Sequence, residues 1–361
     1  MRSRNQSPLS LETLEDRYCP TLNFFFDGLG NLTVTGTPNG MLTVASPSSG
    51  MFSFTDNTST RGPFAAPGNL SLQFGTSAAD DTIMIDLMGN SIGGNLTINT
   101  GTGFDTVILA SLAPAVSTIS GNVNLNGVNS LTTVDLTVGG NLFASHSFEH
   151  PATPNGYALG GTALGGSFNY LGGNNVDIVS FSAGILSPTT FVGGNTTLSL
   201  GNGASLVGQD PFMSFGNNLS VTAGSGDDNV SLNGFTGGSV YFNAGGGNNV
   251  LSFSGSIGGN VTWIAGSGDD VSAFTGSVAG NAFFSLGGGN NGVTFDGSVF
   301  GRQFSYFGGS GEDNLTFNGS APLAQLIGQF AAGNDEFTLG ASADQSRIIV
   351  DLRPLDDTIT K

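Results

Sequence analysis

The chain has 361 residues; 59 are glycine, 28 are phenylalanine, 38% are hydrophobic, only 9% are charged, and the formal net charge is −18. Disordered chains are poor in aromatics and rich in charge, so this balance excludes disorder, and a negative surface repels phosphate, which excludes nucleic acid and anionic membrane as partners. A single cysteine, Cys19, permits no intrachain disulfide, and no apolar run reaches the roughly 18 residues that would span a bilayer.

At the start of the chain, SPLSLETLEDR (7–17) offers Ser7 as N-cap, Pro8 at the first helical position and leucines at 11 and 14, which predicts a short N-terminal helix. LSLETLEDRYCPT (9–21) resembles the N-terminal L-E-x-L-E-D-R-x-x-P-S/T segment of planctomycete surface and secreted proteins, with Leu11, Glu12, Leu14, Glu15, Asp16, Arg17 and Pro20 in place. The resemblance implies export or cell-surface attachment ahead of a repeat-rich β domain, and implies no enzyme activity. The same segment also reads as a cap over the open end of a solenoid. Residues 1–20 contain no apolar core of a conventional signal peptide, and Cys19 has no lipobox-like setting. The expected division is an export or cell-surface segment at 1–20 and one repeat domain at 21–361.

Next come loose repeats: GGNLTI at 93, SGNVNL at 120, GGNLFA at 139, GGSFNY at 165 and GGNTTL at 193. Both histidines fall between them, in SHSFEHP (145–151). His146, Glu149 and His150 match the H-x-x-E-H pattern of inverse zinc peptidases, which requires a helix to bring both imidazoles to one metal. Pro151 and the glycine-rich surroundings read instead as strand and polar loop. The units starting near 140 and 166 take 26 and 28 residues, so long loops are expected at 145–163 and 183–192.

From residue 216 the period tightens to 21–22. Leu232, Phe253, Phe274, Phe295, Phe317 and Leu339 recur at that spacing, as do Phe242, Trp263, Phe284 and Tyr306. Apolar residues two positions before the first set show strand alternation. Period 2 along a segment and period 21 between segments stack like on like about 4.8 Å apart, which is the pattern of a parallel β-solenoid. Two clear strands and a short third one (GSI at 255–257, GSV at 276–278 and at 297–299) make each rung. The fold class is therefore all-β: a right-handed parallel β-helix of roughly fifteen rungs, with helix excluded elsewhere by glycine and β-branched residues.

Within this repeat the turn GSGDD alternates with GGGNN: Asp227/Asp228, Asn248/Asn249, Asp269/Asp270, Asn290/Asn291. Two readings stand. In one, alternation doubles the distance between like charges to about 10 Å, near a Debye length, and the amides hydrogen-bond along the column. In the other, the turns bind Ca²⁺. GGSGEDNLT (308–316) fits the nonapeptide G-G-x-G-x-D-x-U-x, and AGSGDDNVS (223–231) and TGTGFDTVI (100–108) miss only the first glycine. These turns resemble haemolysin-type calcium repeats, although here they occur at most once per rung. The candidate Ca²⁺ ligands are Asp105, Asp227, Asp228, Asp269, Asp270, Glu312 and Asp313, hard carboxylate oxygens on glycine turns.

Parallel β-helices also carry polysaccharide lyases and hydrolases, which need clustered carboxylates with a basic residue or bridging calcium. Only Arg61, Arg302 and Arg347 serve the region from 61 to 347, so a carbohydrate-active enzyme is the alternative and a non-catalytic protein the main reading. Tyr241, Ile264, Phe283 and Phe307 alternate outward on the strand bearing Trp263, making a stripe of the kind that contacts partners. DLRPLDDTITK closes the chain in mid-rung, which points to a missing cap or to end-to-end self-association through an open edge. The expectation is an exported, cell-surface structural or adhesive β-solenoid, stabilised by its ladders or by calcium, with a surface protein or polysaccharide as partner.

Overall fold

The computed structural model describes residues 22–360 apart from positions 39, 58, 76, 113, 147–152, 188, 322–324, 341–347 and 352–357. The expected N-terminal helix and the 1–20 segment lie outside the described residues. All described regular structure is strand, arranged as three sheets of 15, 16 and 10 strands. From Leu32 onward nearly every neighbour pairs in parallel, one turn of chain apart, and the chain is a parallel β-helix of about 12 turns.

A typical rung shows how the sequence builds it. Val240–Gly245 lies in the first sheet (sheet A), Val250–Phe253 in the second (sheet B) and Ser256–Ile257 in the third (sheet C). Alternation along each strand sends Phe242, Leu251, Phe253 and Ile257 inward, where all are buried. Register then places Phe253 on Phe274, Phe274 on Phe295 and Phe295 on Phe317. Their rings stack with centroids 4.6, 4.8 and 5.3 Å apart and interplanar angles of 15°, 10° and 2°. Burying one such side chain contributes roughly 1.5–3 kcal/mol, and each ring pair about 0.5–1.5 more. Trp263 sits wholly buried in the companion column, between Phe242 and Phe284.

Two expectations need correction. The solenoid makes about 12 turns rather than fifteen because the first stretch is spent on chain reversals. Leu22–Phe26 runs antiparallel to Leu32–Gly36, and Met51–Asp56 and Ser59–Ala65 fold back antiparallel beside Met41–Ser48. Phe24, Phe54 and Phe64 pack together there, with Phe24 4.7 Å from Phe64 and 5.1 Å from Phe54. The loops expected at 145–163 and 183–192 are also shorter than that. Asn155–Gly160, Ala163–Leu164 and Thr190–Val192 are strands of the regular sheets, because Asn155 and Thr190 hold buried places in them. What remains of the second loop is folded over Asp135, whose Oδ2 accepts from the Leu186 amide at 2.9 Å and whose Oδ1 accepts from that of Ser187 at 2.8 Å.

Candidate functional site

The glycine turn leads into sheet B, and the strand's alternation decides where its two polar residues go. Val230 points inward, so Asp228, two residues earlier, also points inward, and Asp227 points out. Repeated along the solenoid, this makes two separate columns. The inner one runs Asp81, Asp105, Asn129, Asn155, Asp177, Ser205, Asp228, Asn249, Asp270, Asn291, Asp313, Asp335, and none of these is more than 3% exposed. The outer one includes Asp227, Asn248, Asp269, Asn290 and Glu312, all exposed.

Each column is a hydrogen-bond ladder to the main chain. In the inner column the backbone N–H of one rung donates to the side-chain oxygen of the next: Ser205 to Asp228 Oδ1 at 2.8 Å, Asp228 to Asn249 Oδ1 at 3.0 Å, Asp270 to Asn291 Oδ1 at 3.0 Å, Asn291 to Asp313 Oδ1 at 3.1 Å. In the outer column the direction reverses. The N–H of Asn248 donates back to Asp227 Oδ1, that of Asp269 to Asn248 Oδ1 and that of Asn290 to Asp269 Oδ1, each at 2.7 Å. Aspartate and asparagine both present an Oδ1 acceptor, so either residue satisfies the turn amide. The amides do further work: Asn249 Nδ2 donates to Asp270 Oδ1 and Asn291 Nδ2 to Asp313 Oδ1, each at 2.8 Å.

The electrostatics of the inner column follow from burial. Loss of solvation raises the carboxyls of Asp81 and Asp228 to about 6, and raises those of Asp105, Asp270 and Asp313, against the opposing effect of the hydrogen bonds they receive. The Oδ2 atoms of Asp228 and Asp270 are buried and accept no hydrogen bond among the described residues. Where two inner acids adjoin, as Asp81 and Asp105 do, the Asp105 carboxylate adds to the rise at Asp81. The Asn249 and Asn291 interruptions keep Asp228, Asp270 and Asp313 two rungs apart, about 10 Å.

The seven acids expected as calcium ligands therefore divide. Asp105, Asp228, Asp270 and Asp313 lie in the buried column, and Asp227, Asp269 and Glu312 in the exposed one. The exposed acids stand on alternate rungs, about 10 Å apart, rather than around one point. Among the described residues no three His, Cys, Asp or Glu side chains converge into a group that could hold a metal ion.

His146 lies just beyond the strand Leu142–Ser145, in extended rather than helical surroundings. Its Nε2 is 3.3 Å from Asn155 Nδ2. Glu149 and His150 lie outside the described residues. Beside His146 is a buried node that sequence reading missed. Asp177 Oδ1 accepts from Tyr170 Oη at 2.6 Å and from Asn155 Nδ2 at 3.0 Å, while its Oδ2 accepts from the Gly201 amide at 3.0 Å. Tyr157 packs against Tyr170 with ring centroids 4.4 Å apart. Burial, with the Asp177 charge adding to it, raises both phenols above their ordinary value.

A third ladder was also missed. The asparagine of each Gly-Asn pair at the entry to sheet A accepts the backbone N–H one rung on. Asn69 Oδ1 takes that of Asn95 and Asn95 Oδ1 that of Asn122, each at 2.7 Å, and Asn260 Oδ1 takes that of Asn281 at 2.8 Å. The glycine before each asparagine is required by this passage: a Cβ on Gly94 would stand 2.3 Å from Asn69 Oδ1, and one on Gly280 would stand 2.3 Å from Asn260 Oδ1. On the outward face of sheet A, Tyr241 is exposed and Ile264, Phe283 and Phe307 are half-buried, with Phe283 and Phe307 5.4 Å apart.

Comparison with known proteins finds no matching protein family, no matching curated protein and no matching solved structure.

Proposed function

We propose that this chain is a non-catalytic, exported cell-surface scaffold with a structural or adhesive role. The observation that carries the reading is the commitment of the turn side chains. Along about 12 turns, a distance of roughly 60 Å, the buried Asp and Asn residues are spent on holding rung to rung. A rigid rod of repeated rungs with a broad outward sheet suits display and contact. The LETLEDR segment supports export by its resemblance. The test is protease shaving of intact cells that make the protein, with a cytoplasmic protein as control. Surface release of its peptides is the expected result; full protection in intact cells overturns the reading.

Calcium stabilisation is the second reading, favoured by the exposure of Asp227 and Asp269. Each uses Oδ1 in the ladder and stands where a divalent ion can reach its carboxylate from solvent. Thermal unfolding across a Ca²⁺ titration separates the two accounts of the outer column.

A further inference from the structure

We propose that the outward face of sheet A, from Asn260 to Phe307, is a binding groove for a neutral polysaccharide; this rests on the adhesive reading above and gives it a ligand class. The groove has a volume of about 380 Å³ and is formed by Asn260, Asn281, Phe283, Gln303, Ser305 and Phe307 with their neighbours. Every lining residue is uncharged, on a chain of net charge −18. A polyanion is repelled by the surrounding field, a cation finds no carboxylate inside the groove, and a second copy of the chain brings the same negative charge. A neutral polymer rich in hydroxyls meets none of these obstacles.

The lining suits such a polymer in two ways. Phe283 and Phe307 stand 5.4 Å apart with their planes inclined by 41°, offering apolar ring surface to the C–H faces of sugar rings. Around them the carboxamides are already oriented. Asn260 Oδ1 accepts from the Asn281 amide at 2.8 Å, and Asn281 Oδ1 accepts from the amides of Arg302 at 2.8 Å and Gln303 at 3.1 Å. The oxygen side of each carboxamide is thus fixed by the ladder. Both residues are exposed, and their Nδ2 groups donate no hydrogen bond among the described residues. The result is a pair of N–H donors about 4.8 Å apart, aligned parallel to the solenoid axis. Because their rotamers are held before binding, a linear polymer lying along that axis avoids much of the usual ordering cost.

The test is affinity electrophoresis of the full chain in native gels containing hydroxyethyl cellulose, xylan, galactomannan or dextran, with polygalacturonate as the charged control. At least one neutral polymer retards the protein. The F283A/F307A double variant weakens that retardation at least tenfold, while F235A, on the exposed face of sheet C, leaves it unchanged. Circular dichroism checks folding; if the double variant loses its β spectrum, Q303A, an exposed side chain, serves instead and weakens binding severalfold. The proposal is overturned if no neutral polymer retards the protein, if polygalacturonate binds best, or if the variants bind as the parent does. It is also overturned if they instead abolish a concentration-dependent self-association. Surface shaving is scored separately. A surface-exposed protein that binds no polymer sinks the groove alone, whereas a polymer-binding protein absent from the surface sinks the export reading and leaves the groove standing.

Discussion

The backbone N–H of Asn249 and its side-chain Nδ2 both donate to one buried oxygen, Oδ1 of Asp270, at 2.9 and 2.8 Å. The same Nδ2 also lies within hydrogen-bonding distance of the carbonyls of Gly246 at 3.3 Å and Gly247 at 3.0 Å. Asparagine at this rung thus does what aspartate cannot: it donates to its neighbour's carboxylate and separates that carboxylate from the one at Asp228. N249D removes the donor and sets three acids in consecutive buried rungs. We expect a loss of about 3 kcal/mol in urea unfolding. N248D, one residue earlier but outward, keeps the Oδ1 that the Asp269 amide needs. Its cost is under about 1 kcal/mol and shrinks as salt is added. Equal losses in the two variants would contradict the division into inner and outer columns.

Stability should fall with rising pH through the acid range. The ordinary carboxyl of aspartate titrates at 3.8, and burial raises that of Asp228 to about 6. The folded chain therefore binds this proton more tightly than the unfolded chain. The stabilisation is full below about pH 4, is lost as pH climbs to about 6, and is flat above that. The drop from Asp228 alone is on the order of 2–3 kcal/mol. D228N keeps the acceptor for the Ser205 amide and removes the charge. It should be more stable than the parent at pH 7 and no more stable at pH 4, measured by unfolding midpoints at matched ionic strength.

Ser272 is a flaw in an apolar column. Its rung partners are Leu251 and Val293, both buried, and its own hydroxyl is buried with no hydrogen bond among the described residues. S272V fills the column and removes an unsatisfied polar group. A gain of about 1–2 kcal/mol is expected, seen as a higher urea midpoint with an unchanged slope. A loss would mean that the rung cannot hold a β-branched side chain there.

Metal titration decides the role of the outer acids. If Asp227, Asp269 and Glu312 serve charge spacing, the unfolding midpoint is the same in EDTA, Mg²⁺ and Ca²⁺ at equal ionic strength. A saturable rise in Ca²⁺ alone, lost in D227N/D269N/E312Q, would assign the column to calcium, since a ligand bound only by the folded state raises the midpoint once its concentration exceeds Kd.

The solenoid was legible because two periods coincide. Strand alternation and the 21–22-residue recurrence of Phe253, Phe274, Phe295 and Phe317 leave little choice of register, and the register found is the one they demand. The inner column was legible only in part. Counting back two residues from Val230 puts Asp228 inside, yet the pair Asp227/Asp228 reads at first as a single unit. Upstream members such as Asn129, Asn155 and Ser205 fall at irregular spacings of 22 to 28 and carry no double-acid turn to mark them. The antiparallel start misled for a related reason: a hairpin strand such as Met51–Asp56 alternates as a rung strand does, so alternation alone cannot tell reversal from progression.

The alternating columns also set the size of the unit by which such a chain can grow or shrink. Excising residues 245–265, one whole rung of 21 residues, would rejoin the strands in register but bring Asp228 directly beneath Asp270. Excising 245–286, two rungs, would bring Asp228 beneath Asn291 and restore the pattern. From Asp228 to Asp313 the repeat is one rung in shape and two in charge. In that stretch the loss of a single asparagine rung sets two acids in adjoining buried rungs, as Asp81 and Asp105 stand at one end of the column and Asp313 and Asp335 at the other, so changes of length there are favoured in pairs of rungs.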